Sequence, residues 1–451
     1  MCYNEFMAKR NTKRRRKKNS VLRLILIFVV TLSLVLAAGL SLLFLKQKSS
    51  LNEAPGDNTS YDESEVTKEE QPEEKVMFSE AIPEDEIRKE EPEEEMTEEE
   101  EEEVPEESPG RYDSALSDED YMRANNIYAM DGANSEFVRL SFAGDILFDP
   151  SYAVTARLNE NGGEISAGIS QDLLDEMRAS DIMMLNNEFP YSSGGEPLPE
   201  KTYTFRAKPE SVRYLSDMGV DIVSIANNHA FDYGERAFLD TLSTLENAGM
   251  PYVGGGRNIE EASRPVYYII NDIKIGFLSA TQIERLDNPD TRGATDNSAG
   301  VFRCLDNHRL LSKITETKEN CDFLVVYIHW GTESTDEIDW LQRDQAPQMV
   351  DAGADLIIGD HPHVLQPITY IKGVPVIYSL GNFWFNSFEL DTGMVQAEID
   401  ETGLRNLKFV PCKQSGCKTR MLEGAEAQNL INYMQSISPT VHFDAEGYIT
   451  N

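Results

Sequence analysis

Six histidines occur in this chain, and four of them, His229, His329, His361 and His363, stand at or just beyond the ends of apolar, strand-like runs. The densest stretch is Gly353 to Asn382, GADLIIGDHPHVLQPITYIKGVPVIYSLGN. Its run Leu356–Ile358 reads as a short buried strand. Gly359 and Asp360 follow, and then His361 and His363 flank a proline. Two imidazoles so close together, just past a strand end, converge on one small volume, which is where open α/β sheets place ligands. A single histidine in that position is usually a satisfied core or surface residue; four in one repeated context mark a site.

Other strand-like runs end in matching chemistry. FVRLSF leads to Asp145, DIMML to Glu188, and VDIVSIA to Asn228 and His229. Two carboxylates, a carboxamide and three or more imidazoles make a mixed nitrogen and oxygen set with no thiolate. It is too rich in nitrogen for calcium or magnesium and suits Mn, Fe or Zn. Two such ions about 3.5–4 Å apart, sharing a bridging carboxylate, activate water and clamp a phosphoryl oxygen. Arg206, in TYTFRAKPE, offers a fork of donors for an anionic substrate group. Glu333 and Asp336 follow His329 and could steady imidazole N–H groups. Asn382, after YSLG, reads as a pocket residue. Trp330 and Trp384 read as pocket walls or core, and Gly254-Gly255-Gly256-Arg257 as a turn, since it lacks the strand–helix context of a nucleotide loop.

The elements that must carry these residues alternate. Strands are expected over Phe137–Phe142, Asp181–Leu185, Val220–Ala226, Phe323–Ile328, Leu356–Ile358 and Val376–Ser379. Helices are expected over Gln171–Ala179, Pro209–Met218, Gly234–Ala248, Leu305–Lys318 and Ile338–Ala352. The stripe Phe238, Leu239, Leu242 and Leu245 is that of a helix covering a sheet. Val266–Ile270 and Ile273–Leu278 bracket Asn271-Asp272 as a hairpin. Val395–Ile399 and Leu404–Val410 form an antiparallel pair around Glu401-Thr402-Gly403. The alternation predicts α/β architecture with ligands at strand ends. The later hairpins suggest a second, more antiparallel sheet, with the two sheets back to back and helices outside.

Composition divides the chain. The basic patch of residues 1–20 precedes Leu24–Leu45, an uncharged apolar run long enough to span a bilayer as a helix. The positive flank predicts a cytoplasmic tail, a single-pass signal anchor over 21–46, and everything after it outside the cell. An acidic linker is expected over 47–135; Ser49–Ser135 carries 31 Asp/Glu against 6 Lys/Arg. Such a segment buries too little apolar surface to fold and is expected to be a disordered, extended stalk. The main domain is expected over 136–420, with 421–451 either packed on it or partly disordered. From Glu136 onward 47 Asp/Glu face 24 Lys/Arg, which argues against nucleic acid. Cys412 and Cys417 flank a short polar loop and could pair outside the cell, as could Cys304 and Cys321.

The strings AGDILFD, NNEFP, SIANNHAFDYG, VVYIHWGTE, GDHPHVLQP and YSLGNF resemble the motifs of the CapA (PgsA) family of poly-γ-glutamate capsule biosynthesis proteins. The resemblance runs from about Val138 to Val410. It implies a fold like that of calcineurin-like metallophosphoesterases, a four-layer α/β/β/α sandwich with a two-metal site. It makes Asp145, Glu188, Asn228, His329, His361 and His363 the metal ligands, with Glu188 bridging. It makes His229 the proton donor to a leaving group, with Asp232 orienting it. Leu147 stands where related phosphoesterases usually carry a histidine, so one ligand is missing. The implied partners are poly-γ-glutamate or another anionic cell-surface polymer, membrane-bound capsule synthase subunits, and the bilayer through the N-terminal helix. Two functions follow: a metal-dependent hydrolase, or a non-catalytic scaffold that binds and guides the polymer. Fold alone does not choose between them.

Overall fold

The strand segments are apolar at consecutive positions, and the computed structural model, which describes residues 110–283 and 291–451, shows why. In the strand Ile182–Asn187, Met183 and Leu185 enter one core while Ile182 and Met184 enter another. In Phe323–His329, Phe323, Val325 and Tyr327 share that second core while Leu324, Val326 and Ile328 face a third. A strand buried on both faces has no solvent side to demand polar alternation.

Two sheets result. The first runs Ile127–Ala129, Val266–Ile270, Ile273–Thr281, Phe323–His329, Leu356–Asp360, Val374–Ile377, Ile368–Ile371. The second runs Lys418–Met421, Gly403–Ser415, Leu390–Asp400, Val138–Ile146, Ile182–Asn187, Ile222–Ser224, Tyr252–Val253, with Asn382–Trp384 also paired to Val138–Ile146. The core between them gathers Phe142 and Val395 from one sheet and Phe277 and Tyr327 from the other. Helices Gln171–Arg178 and Gly234–Asn247 cover the second sheet through Leu173, Phe238 and Leu242. Helices His308–Lys318 and Trp340–Ala352 cover the first through Leu310, Ile314 and Met349. The layers are helix, sheet, sheet, helix.

The expected segregation of antiparallel hairpins into their own sheet does not occur. The late pair Leu390–Asp400 and Gly403–Ser415 returns to the N-terminal strand, with Met394 opposite Ala143 and Ile399 opposite Val138. The hairpin Val266–Ile270/Ile273–Thr281 sits in the sheet of His329. Each sheet is therefore mixed. Local turn chemistry specifies a hairpin but not the strand beside which it docks.

The expected tail over 1–20, the anchor over 21–46 and the linker as far as residue 109 lie outside the described residues. Among the described residues no helix is long and apolar enough to cross a membrane. The end of the expected linker is folded, which corrects the boundary at 136. Ile127–Ala129 pairs in parallel with Val266–Ile270, and Ile127 packs with Tyr267 and Ile269. Arg111 Nη1 donates to Asp322 Oδ1 at 3.0 Å, and Tyr112 Oη to Asp322 Oδ2 at 2.8 Å. A three-residue edge strand is too short to show in an acidic background. At the other end Leu430, Ile431 and Met434 of the helix Gly424–Ile437 join the core between the sheets. Neither expected cysteine pair is bonded. Cys412 lies in the core opposite Met421, whereas Cys417 sits in the turn at a φ of 68°.

Candidate metal centre

Parallel pairing in register brings the chemistry together. Asp145 lies beside Asn186 on one side and Asn382 on the other, and His329 lies beside Asp360. The two sheets are tied near this end by Tyr327 Oη donating to the Ala143 carbonyl at 2.7 Å. Asp145, Glu188, His329 and Asp360 are fully buried, and Asn228, His229 and His361 nearly so.

Three groups of donors converge: Glu188 with His329 and His361; Asp145 with Glu188 and His363; and Asp145 with His329 and Asp360. Glu188 belongs to the first two, as a bridging carboxylate must. His329 Nε2 lies 2.8 Å from Asn228 Oδ1, 3.1 Å from His361 Nδ1 and 3.6 Å from Glu188 Oε1. With metal–nitrogen bonds near 2.1 Å, neighbouring ligand atoms around one ion are about 3.0–3.4 Å apart. His329 Nδ1 lies 2.9 Å from Asp360 Oδ1. Burial pushes the His329 ring down to about 3, so it is neutral. Burial also holds His361 well below the usual imidazole range.

The carboxylates complete the argument. Both oxygens of Glu188 are buried without a hydrogen-bond partner. Burial, and then the nearby Asp145 and Asp360, push Glu188 well above the usual carboxyl range. Asp360 is raised by burial and by Asp145. Asp145 moves the other way: burial is outweighed by His363, whose Nδ1 lies 3.2 Å from its Oδ2. An ionised Glu188 here needs a cation. The residues fit the two-ion expectation on that ground, with Glu188, Asn228, His329 and His361 as one set and Asp145, Glu188 and His363 as the other.

Leu147 is fully buried in the helix-facing core, so it offers nothing in place of the absent histidine. Asn382 Oδ1 instead receives His363 Nδ1 at 2.9 Å and sets that ring. His361 and His363 both sit at positive φ, 93° and 59°, a conformation that side chains other than glycine rarely adopt. Strain of this kind persists where surrounding contacts impose it.

His229 stands apart from the donor sets. Its Nδ1 donates to Asp232 Oδ2 at 2.6 Å, and its Nε2 is 3.9 Å from Glu188 Oε1. The ring lies against Phe205, with centroids 4.1 Å apart. Burial lowers its pKa against the pull of Asp232. Lys201 binds Asp232 Oδ1 at 2.7 Å and the Asn228 carbonyl at 2.6 Å. His229, His361, His363 and Asn382 line a cavity of about 730 Å³.

Of the substrate-binding candidates, Glu333 lines this cavity, is mostly exposed and lies 4.0 Å from His361 Nε2. Asp336 points elsewhere, accepting from Tyr433 Oη. Arg206 does not reach the cavity: Nη1 donates to the Gly194 carbonyl at 3.1 Å, and the guanidinium covers the Tyr233 ring. Its place as the basic residue of the wall falls to Lys201, which sequence reading passed over. Asp360 and Asn186 were also unassigned, although both stand at strand tips. Asn186 donates to Asp145 Oδ1 at 2.9 Å and accepts from Asn227, so the carboxamides brace the carboxylate. Trp330 and Trp384 are both fully buried core.

Fold and site together define an α/β protein with buried candidate metal-binding groups at the strand ends. Residues 139–387 match the family described as bacterial capsule synthesis protein PGA_cap, and the chain belongs to that family, which is part of the metallophosphoesterase-like superfamily. The chain is 32% identical to the PGA biosynthesis protein CapA of Bacillus subtilis over 62% of its own length and 72% of that protein's. It is 33% identical to the capsule biosynthesis protein CapA of Bacillus anthracis over 47% of its own length and 52% of that protein's. Among solved structures, the Thermus thermophilus sulfate thiohydrolase SoxB in complex with glycerol aligns at a TM-score of 0.36 and 12% identity, over 66% of this chain and 60% of that one.

Proposed function

We propose that this protein is a membrane-anchored, extracellular component of poly-γ-glutamate capsule biosynthesis carrying a two-metal hydrolytic site. The capsule role is supported by the family and by the names of the Bacillus relatives. The anchor and its orientation are supported by the apolar run Leu24–Leu45 and the basic residues before it. The association proposed is with the capsule polymer and membrane-bound synthase subunits. The observation that carries the hydrolytic reading is the buried, unpartnered Glu188 between two donor sets.

Two divalent ions of Mn, Fe or Zn, when bound, supply Lewis-acid activation of water and charge neutralisation. The rest is the work of side chains. His229 moves a proton at Nε2, on the cavity side. Asp232 holds the ring through Nδ1 and favours its protonated form. Lys201 locks Asp232 to the Asn228 loop. Asp360 and Asn382 orient His329 and His363 through their Nδ1 atoms.

The test is metal analysis of the full-length protein beside two variants. About two transition-metal ions per chain are expected in the wild type, with loss in His361→Ala/His363→Ala. His229→Ala is expected to keep its metal and lose about 10²–10⁴ of phosphoesterase turnover. A second reading, a metal-dependent polymer-binding scaffold without catalysis, is favoured by one observation, the buried Leu147 that leaves the Asp145 set short of a ligand. Capsule production that survives His229→Ala but not His361→Ala would select the scaffold.

A further inference from the structure

Beyond the metal donors the cavity changes character. A chain of rings leads outward from the histidines. Phe205 packs on His229, Phe385 on both Phe205 and His363, and Tyr152 on Phe205, with centroids 4.1–5.3 Å apart. At the mouth stand Tyr203, 63% exposed, and Phe388, 67% exposed. An apolar group seated at the mouth would cover these two rings. Charge is sparse on these walls. Among the described lining residues Lys201 is the basic side chain of the Lys/Arg type, and Glu333 adds a carboxylate at the mouth.

A polymer with a carboxylate on every unit does not match such walls. With ions held by Glu188, His329, His361 and His363, the floor would neutralise one anionic group, and each further carboxylate would meet an aromatic ring or Glu333. A ligand with a single anionic head and an apolar body would set its head at the metal-binding floor and its body along the rings. Resting on the hydrolytic reading above, we infer that this cavity takes phosphate monoesters of apolar alcohols, alkyl or aryl, rather than a stretch of the capsule polymer. In the reaction, the oxygen of water bonds to phosphorus and the bond from phosphorus to the alcohol oxygen breaks. The alcohol leaves with a proton from His229 Nε2, which the attacking water restores, and the other products are accounted for as hydrogen phosphate.

The experiment is calorimetric binding of methyl, butyl and octyl phosphonate to the full-length, Mn²⁺-loaded protein, with turnover of the matching alkyl phosphates and of phenyl phosphate alongside. Affinity is expected to rise about fourfold per methylene over the first few carbons, the value of burying a CH₂ group. Tyr203→Ser/Phe388→Ser, at two exposed positions, is expected to flatten that rise. Equal affinity across the series, or displacement of octyl phosphonate by γ-glutamate oligomers at similar concentration, overturns the ligand class. Chain-length-dependent binding with no turnover keeps the ligand class and removes the hydrolytic reading. Turnover indifferent to chain length does the reverse. Phenyl phosphate preferred over octyl phosphate marks the apolar group as aryl, and the opposite order marks it as alkyl.

Discussion

Glu188 shows at the scale of one residue what the site requires. Its carboxyl is buried, has no hydrogen-bond partner and faces Asp145 and Asp360. Because its pKa is raised in the fold, stability from this group is full at low pH and is lost as pH climbs through the raised value. In metal-free protein the stability of the wild type relative to Glu188→Gln, which keeps the volume without the charge, should therefore fall as pH rises. Metal acts the opposite way. At a free concentration about 100 times its Kd, an ion adds about 2.7 kcal/mol to the wild type, and Glu188→Gln should gain much less. Denaturant titrations with chelator and with Mn²⁺, over a range of pH, check this. An equal metal gain in the two proteins would remove Glu188 from the centre.

Elements matter here through the closeness with which strands meet. Gly144 passes the segment Leu380–Asn382 so tightly that a Cβ would overlap the Gly381 carbonyl oxygen. The neighbouring Asp145 N–H donates to that same carbonyl at 3.0 Å. Gly144→Ala should force the two strands apart, cost about 1–3 kcal/mol and shift Asn382 away from His363. A fall in both melting temperature and metal content is expected; a fall in melting temperature alone would mean that the site does not depend on this approach. A second effect belongs to the strand Ile222–Ser224. Asp221, just before it, accepts the Met183 N–H at 2.8 Å, and burial raises its carboxyl to about 6. Its folded pKa lies above the unfolded one, so stability falls as pH rises from about 4 to about 6, by at most about 3 kcal/mol. Asp221→Asn should remove that part of the pH dependence, and melting curves across the interval measure it.

At the scale of the whole molecule, Arg111 and Tyr112 are already tied to Asp322, so the folded part begins by residue 111. Protease added to intact cells is expected to release a fragment that starts between residues 49 and 109 and still holds metal. Complete protection in cells whose other surface proteins are cleaved would overturn the proposed orientation. The acidic excess after Glu136 acts at this scale too. It sets a repulsive field against polyanions, so contact with the capsule polymer is expected to depend on divalent cations.

The sequence by itself determined the α/β class and most strands and helices to within a few residues, and it singled out Asp145, Glu188, Asn228, His229, His329, His361 and His363 as strand-end residues, which the fold brings close together. They were legible because the strand-like runs before them are largely apolar and stop at polar residues. It could not determine which strand lies beside which. Pairing of Leu390–Asp400 with Val138–Ile146 links residues far apart in the chain, and local periodicity carries no information about such pairing. The edge strand Ile127–Ala129 was hidden for a related reason, since three residues in an acidic stretch show no period. Only the tertiary structure placed Lys201 against Asp232, turned Arg206 away onto Tyr233, and put Asp360 behind His329. Those assignments depend on loops brought together from different strands, where a side chain's role is set by what it meets in space.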